Sequence, residues 1–327
     1  MIITSLRRKN NNYIIKGLVI LMVIATLCVY YIFLGPNAFP DYDNYQTIAR
    51  NGGYLFSPDE YFFEFFSRGV LASQYIPLES SVDILVFLSQ SFTVFYILFL
   101  IKKKPWNGLM QSSLTSVAFL TTIIRAAPAY EIIGYLCMGK ITKRKFILCS
   151  VFALSWHDTA VIPLALIALV YLMNTLNISN FILKILNNIY LLGILIFVFP
   201  EKFKEIIEIL VGSFIGIRSV YFETEGGYSV LKILYMIGIY LSTCYLIRVS
   251  ELDKEKKLII YILNLVGAIM YSINSVAGVR FSLFTITTFL ALYDFNNIDK
   301  KYYKYVIIIF SIALYFYSYI DILKNTI

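Results

Sequence analysis

Histidine is almost missing from this chain: there is one in 327 residues, His157. A zinc or haem site built on several histidines is therefore excluded. Charge is also scarce, at 15% of residues, where an ordinary soluble domain carries about 25%. No hydrophilic stretch is long enough for an independent soluble domain. Cysteine occurs four times, at Cys28, Cys137, Cys149 and Cys244, with neither metal-ligand spacing nor the pattern of a disulfide framework. All four fall in apolar segments, where a thiol packs as a small hydrophobe. The chain has no Gly-x4-Gly-Lys-Ser/Thr loop, so it is not an ATP motor of that type, and no His-x4-Asp pair of the kind that suits acyl transfer. It shows no internal repeat, which weakens an inverted-repeat transporter.

Apolar residues fill the space left by these absences. They make up 59% of the chain, mean hydropathy is +0.74, and Tyr (27) and Phe (26) are abundant. The expectation is an all-α polytopic membrane protein, a single transmembrane domain over 1–327. A crossing needs about 20 apolar residues. Candidate spans are 14–34, 82–101, 106–124, 126–140, 146–157, 159–173, 181–199, 228–247, 258–274, 280–293 and 305–320, a best count of eleven within a range of about ten to twelve. Three of these (126–140, 146–157 and 280–293) are short. The stretch 146–173 can also be read as one helix kinked near Pro163. The first span is expected to stay attached, because its apolar core is too long for a signal peptide.

Charge decides between the topologies. With Arg7, Arg8 and Lys9 in the cytoplasm, eleven crossings put Lys102–Lys104, Lys140–Lys145, Arg248–Lys257 and Lys300–Lys304 on the same side. In all, 19 of the 28 Lys and Arg then lie inside. A single crossing at 146–173 would expel the last two clusters, so two crossings are expected there. The net charge of +8 is accounted for by this rim against anionic lipid, and no nucleic-acid partner is expected.

Lysine follows this rule and arginine does not. Arg50, Arg68, Arg125, Arg218 and Arg280 fall outside, and Arg is the better bidentate partner for phosphate or carboxylate. Snorkelling at the interface is the plainer alternative. Arg125 and Arg280 each open a span at an outer turn, and the His157-Asp158 pair sits at a third. Two longer outer loops complete this face, at about 35–81 and 200–227. In the first, Asp41-x-Asp43 has the two-carboxylate spacing that glycosyltransferases use around a metal or an acceptor hydroxyl, and equally the turn chemistry that follows Pro40. Ser57-Pro58-Asp59-Glu60 then reads as a capping box. It opens an interfacial helix with Glu60, Glu64 and Arg68 on one face and Phe62, Phe63, Phe65 and Phe66 around them. A second such helix is expected over 200–217.

The order Asp41-Tyr42-x-x-Tyr45, Arg125, a Lys-Arg-Lys inner loop, Trp156-His157-Asp158-Thr159-Ala160, then Arg280 resembles the EpsG-like branch of the Wzy-type bacterial polysaccharide polymerases. Their local pattern is Phe-His-x-Ser-Ala; here Trp replaces Phe and Thr keeps the hydroxyl. The resemblance implies a GT-C-like helical architecture in the bacterial inner membrane. It also implies an enzyme that polymerises undecaprenyl-pyrophosphate-linked oligosaccharide units of O-antigen, capsule or exopolysaccharide, facing the periplasm. It implies His157 or Asp41 as catalytic base, and Arg125, Arg280, Arg218, Asp158, Tyr42 and Tyr45 as pyrophosphate or sugar contacts. For Tyr42 and Tyr45 an interfacial belt is the plainer reading. Neither metal nor cofactor is expected, because arginines can neutralise the leaving group. The expected partners are the lipid-linked glycan, membrane lipid, and a chain-length regulator and flippase of the same pathway. The alternatives are a glycosyltransferase using polyprenyl-phosphate-linked monosugars and a lipid-glycan flippase.

Overall fold

The computed structural model describes residues 2–35, 42–52, 64–211 and 230–295 and the single positions 309 and 315. The described residues are helical and contain no strand. They fall into two compact units, one from Met1–Val161 with Asp294–Ile327 and the other from Ile162–Tyr293.

In the first unit, α1 (Ile2–Cys28) runs into a π-turn at Val29–Leu34, followed by the short helices α2 (Tyr42–Arg50) and α3 (Phe65–Leu71). The long helix α4 (Leu78–Lys103) is the spine on which α2, α3, α5 and α7 pack. It has no internal Pro or Gly, and it stops before Pro105 with Lys102 and Lys103 in its last turn, where cations complement the helix dipole. Pro105 opens α5 (Pro105–Gln111), a position where the missing N–H costs no hydrogen bond. The helix then widens into a π-turn at Ser112–Ser116 before α6 (Val117–Thr121). Thr115, Ser116 and Thr121 each donate their hydroxyl to the carbonyl four residues back, a competition that loosens the regular ladder.

Helix α7 (Ala127–Cys137) and α8 (Lys143–Trp156) pack side by side. Gly139 supplies the left-handed residue (φ 70°) of the turn between them. Thr142 caps α8 by accepting from the Lys145 amide, and Lys145 Nζ donates to the Leu136 and Met138 carbonyls at the end of α7.

In the second unit, α9 (Val161–Thr175), α10 (Ser179–Ile189), α11 (Gly193–Val198), α12 (Pro200–Val211) and α13 (Val230–Val249) precede a pair, α14 (Lys254–Ile273) and α15 (Ser275–Leu292). Helix α14 is the hub, touching α10 to α13 and α15. The corner between α14 and α15 is one residue, Asn274, whose side chain accepts from the Val276 and Ala277 amides. Polar bonds staple the unit: Tyr261 donates to Asn187 at 2.6 Å and Asn264 to Thr243 at 2.7 Å.

Among the described residues, five helices are long and apolar enough to cross a membrane: Asn12–Ile32, Ser80–Lys103, Asp158–Thr175, Lys254–Ile273 and Ser275–Leu292; Ile233–Val249 is shorter. Phe87, Phe95, Val151 and Phe152 are exposed, as side chains facing lipid are. The chain is therefore a helical membrane protein. Several expected spans differ in detail. The stretches 106–124 and 181–199 are broken by a π-turn and a 3-10 turn, and α7 and α8 are only 11 and 14 residues long. The last hairpin helix starts at Ser275, so Arg280 lies within it, where the sequence pattern had put it at the turn. The expected span 305–320 and the capping box 57–60 lie outside the described residues. Of the amphipathic helix expected at 200–217, Pro200–Val211 forms as α12 and packs on α14, and 212–217 lie outside the described residues.

Candidate functional site

His157 breaks the helix between α8 and α9. Helix α8 ends at Trp156, His157 is extended (φ −155°, ψ 135°), and a 3-10 turn over Asp158–Ala160 leads into α9. The sequence expectation of a break within 146–173 is met here. Because His157 is off the helix, its neighbour Asp158 can face it: Nδ1 lies 3.0 Å from Asp158 Oδ1. Thr159 reaches the same nitrogen, with its amide at 3.2 Å and its hydroxyl at 3.0 Å.

The centre of the site is a residue the pattern had placed on one face of an interfacial helix. Glu64 does not sit mid-helix; it stands just before α3, in the left-handed region at φ 70°. Such a conformation costs a bulky residue on the order of 1 kcal/mol and persists only where surroundings hold it. Here the Glu64 amide donates to the Leu154 carbonyl of α8 at 2.8 Å, turning the carboxylate inward until it is 1% exposed. Oε2 accepts from Arg68 Nε at 3.1 Å and lies 3.0 Å from its Nη2; Arg125 Nη1 donates to the same oxygen at 3.1 Å. Oε1 accepts from the Asp158 amide at 3.1 Å and lies 3.6 Å from His157 Nδ1.

Arg125 comes from the turn between α6 and α7, as expected, and lies 4.6 Å over the ring of Tyr45. Tyr45 is buried, so it serves as a platform under the cation and not as a belt residue. Tyr42 faces elsewhere, donating to Asp83 at 3.0 Å; burial and then that hydrogen bond push its phenol above the ordinary value. Arg280 belongs to the second unit, and Asp41 and Arg218 lie outside the described residues. One unit therefore brings together Tyr45, Arg125, His157 and Asp158 and adds Glu64, Arg68 and Thr159. One sequence signal for Glu64 was available. A carboxylate inside Phe62-Phe63-Glu64-Phe65-Phe66 is flanked by rings on both sides, which is not the composition of a solvated face.

Glu64, His157 and Asp158 offer ligand atoms within 4.8 Å of one another, a spacing that a divalent cation can bridge. The charges weigh against that use. Glu64 already balances two guanidinium groups, and its Oε1 accepts an amide proton, so a divalent ion would meet two fixed cations across one carboxylate.

An apolar cavity of about 500 Å³ lies alongside, walled by Phe92, Ile132, Leu148, Phe152 and Trp156, with Arg144 and Lys145 at its far end. It follows α8 for about 20 Å from its first turn to the residue before His157. Comparison with protein-family models, curated proteins and solved structures finds no match to this chain.

The chemistry available is that of a base beside fixed cations. One carboxylate oxygen, Asp158 Oδ1 at 3.0 Å, competes with the Thr159 amide and hydroxyl for His157 Nδ1. A charge-assisted bond is roughly twice as strong as a neutral one, which favours the Nδ1–H tautomer and leaves the Nε2 lone pair to accept a proton. Nε2 has no hydrogen-bond partner among the described residues.

Proposed function

We propose that this chain polymerises polyprenyl-pyrophosphate-linked oligosaccharide units at the outer face of a bacterial cytoplasmic membrane, transferring the growing glycan onto the next lipid-linked unit. The observation that carries the reading is the Glu64 carboxylate. It holds Arg125 on one oxygen and the His157–Asp158 corner on the other, so that a phosphate-binding cation and a base stand one side chain apart. The chemistry balances without a cofactor. An acceptor hydroxyl loses its proton to His157 Nε2, its oxygen bonds to the anomeric carbon, and the bond from that carbon to pyrophosphate breaks. Arg125 and Arg68 neutralise the departing phosphate, while Asp158 and Glu64 stabilise the imidazolium. The apolar cavity along α8 suits the hydrocarbon of a lipid-linked substrate. In this reading the fold is GT-C-like with eleven crossings, and Arg280, Arg218 and Asp41 are further contacts to be tested by substitution.

A lipid-glycan flippase is the second reading, favoured by one observation: a carboxyl group, Glu131, buried among the helices of the first unit. Purified protein reconstituted with lipid-linked repeat units separates the two. Longer glycans should form with or without chelator. His157→Ala should lower the rate by at least 100-fold, and Arg125→Lys should also fail, since an ammonium cannot reproduce the guanidinium fork. Translocation without lengthening in the unmodified protein would establish the flippase, and full-length glycan from His157→Ala would end the assignment of the base.

A further inference from the structure

Away from the Glu64 cluster, the contact between α4 and α7 encloses a second polar group of side chains. Ser89, Thr93 and Tyr96 lie at i, i+4 and i+7 on α4 and so share one face of that helix. Glu131 meets this face from α7, with Thr93 Oγ1 donating to its Oε2 at 3.2 Å. Ser89, Thr93 and Glu131 have no exposed surface, and Tyr96 is 6% exposed. Three of the oxygens have no hydrogen-bond partner among the described residues: Glu131 Oε1, Ser89 Oγ and Tyr96 OH. No lysine or arginine pairs with Glu131 among the described residues. Tyr96 interacts electrostatically with Glu131 and with Cys137 further along α7, and none of the three brings a positive charge. The nearby cation at the end of α7, Lys145, is turned to the Leu136 and Met138 carbonyls.

An ionised carboxylate among apolar helices with one hydroxyl donor is expensive to maintain. Buried polar atoms are nearly all paired in native proteins, so three orphans on one pair of facing helices call for an explanation, and an ionisable group inside a membrane bundle is most often part of a working site. We infer that Glu131, Ser89, Thr93 and Tyr96 form an exchangeable site for a small monovalent cation, a proton or a sodium ion. The donor set is all oxygen with one negative charge, which a monovalent ion neutralises. A divalent ion would leave excess charge in a site with too few carboxylates to hold it. The exchange is balanced: the carboxylic acid and a sodium ion give the sodium carboxylate and a free proton.

The site is placed to matter. Glu131 lies on the helix that begins two residues after Arg125, so its occupancy sets how firmly α7 seats on α4 and hence where the Arg125 turn is held. The inference does not depend on glycosyl transfer.

The test uses the full-length protein in nanodiscs, treated with dicyclohexylcarbodiimide, which modifies protonated carboxyl groups in apolar surroundings. Labelling at Glu131 is read by peptide mass spectrometry across pH, in sodium or in choline at equal ionic strength. Labelling should fall several-fold as pH rises. Protection by sodium over choline identifies sodium as the competing occupant, and equal labelling in the two salts identifies the proton alone. Labelling that ignores both pH and sodium, or that is absent throughout, overturns the site. As a second measurement, the melting temperature of Glu131→Gln should lose the dependence on pH and sodium that the unmodified protein shows. An undiminished dependence in that variant would equally overturn it.

Discussion

Glu64 is the residue on which the candidate site depends, because one buried carboxylate satisfies two guanidinium groups, one amide and the edge of an imidazole. Glu64→Gln keeps its shape and removes its charge. Arg68 and Arg125, with side chains 10% and 13% exposed, then lose the carboxylate charge they share. Breaking such a pair from one side costs about 3–5 kcal/mol. Arg68→Gln is milder, since Glu64 keeps Arg125. Thermal unfolding in a fixed micelle should therefore rank Glu64→Gln well below Arg68→Gln. Equal melting temperatures would mean that the carboxylate is not the common anchor of both arginines. Part of this was legible beforehand. Arg125 at a turn and the His157-Asp158 pair were visible as polar residues at the ends of apolar runs. The role of Glu64 was not, because what turns it inward is the Leu154 carbonyl, 90 positions away, and Arg125, 61 positions away. The i, i+4 spacing to Arg68 is the same whether that face looks to water or to the core, so periodicity could not tell the two apart.

At the scale of elements, local chemistry predicted where helices stop better than how far they run unbroken. Pro105 and the basic run before it end α4 where the pattern said they would. The π-turn at Ser112–Ser116 was hidden inside an apolar stretch of sufficient length, because hydroxyl groups that divert backbone carbonyls barely change mean hydropathy. The pair α14–α15 was expected, but the closeness of its packing comes from one glycine. A methyl group at Gly278 would fall on the backbone of Tyr271, and the one-residue corner at Asn274 gives the helices little room to part. Gly278→Ala should destabilise the protein by about 1–3 kcal/mol through overpacking. Gly17→Ala in α1, where a methyl group meets nothing within 4 Å, should be neutral or slightly stabilising. Melting temperatures of the two variants in the same detergent check the contrast, and a harmless Gly278→Ala would show that the helices can separate.

For the whole molecule, the sequence signal that reaches furthest is the arrangement of charge along the chain. Hydropathy identifies apolar helices but not direction, and the five helices among the described residues that are long enough to cross cannot by themselves fix the parity of the crossings. Lysine placement gives an expected direction: Lys102–Lys104 and Lys140–Lys145 bracket the stretch that carries Arg125, and the positive-inside rule predicts both clusters on the cytoplasmic side. Arg125 and Thr159 should then reach the opposite face, each separated from a lysine cluster by helix and turn. Single cysteines introduced at Thr159 and at Lys103, in a chain whose four native cysteines are replaced by alanine or serine, test this directly. In intact cells a membrane-impermeant thiol reagent should label T159C and spare K103C until the membrane is opened. The reverse pattern would put the His157 corner in the cytoplasm, where nucleotide-linked sugars are the available donors. Glycan polymerisation from a flipped lipid carrier would then no longer be a workable account of the Glu64 cluster.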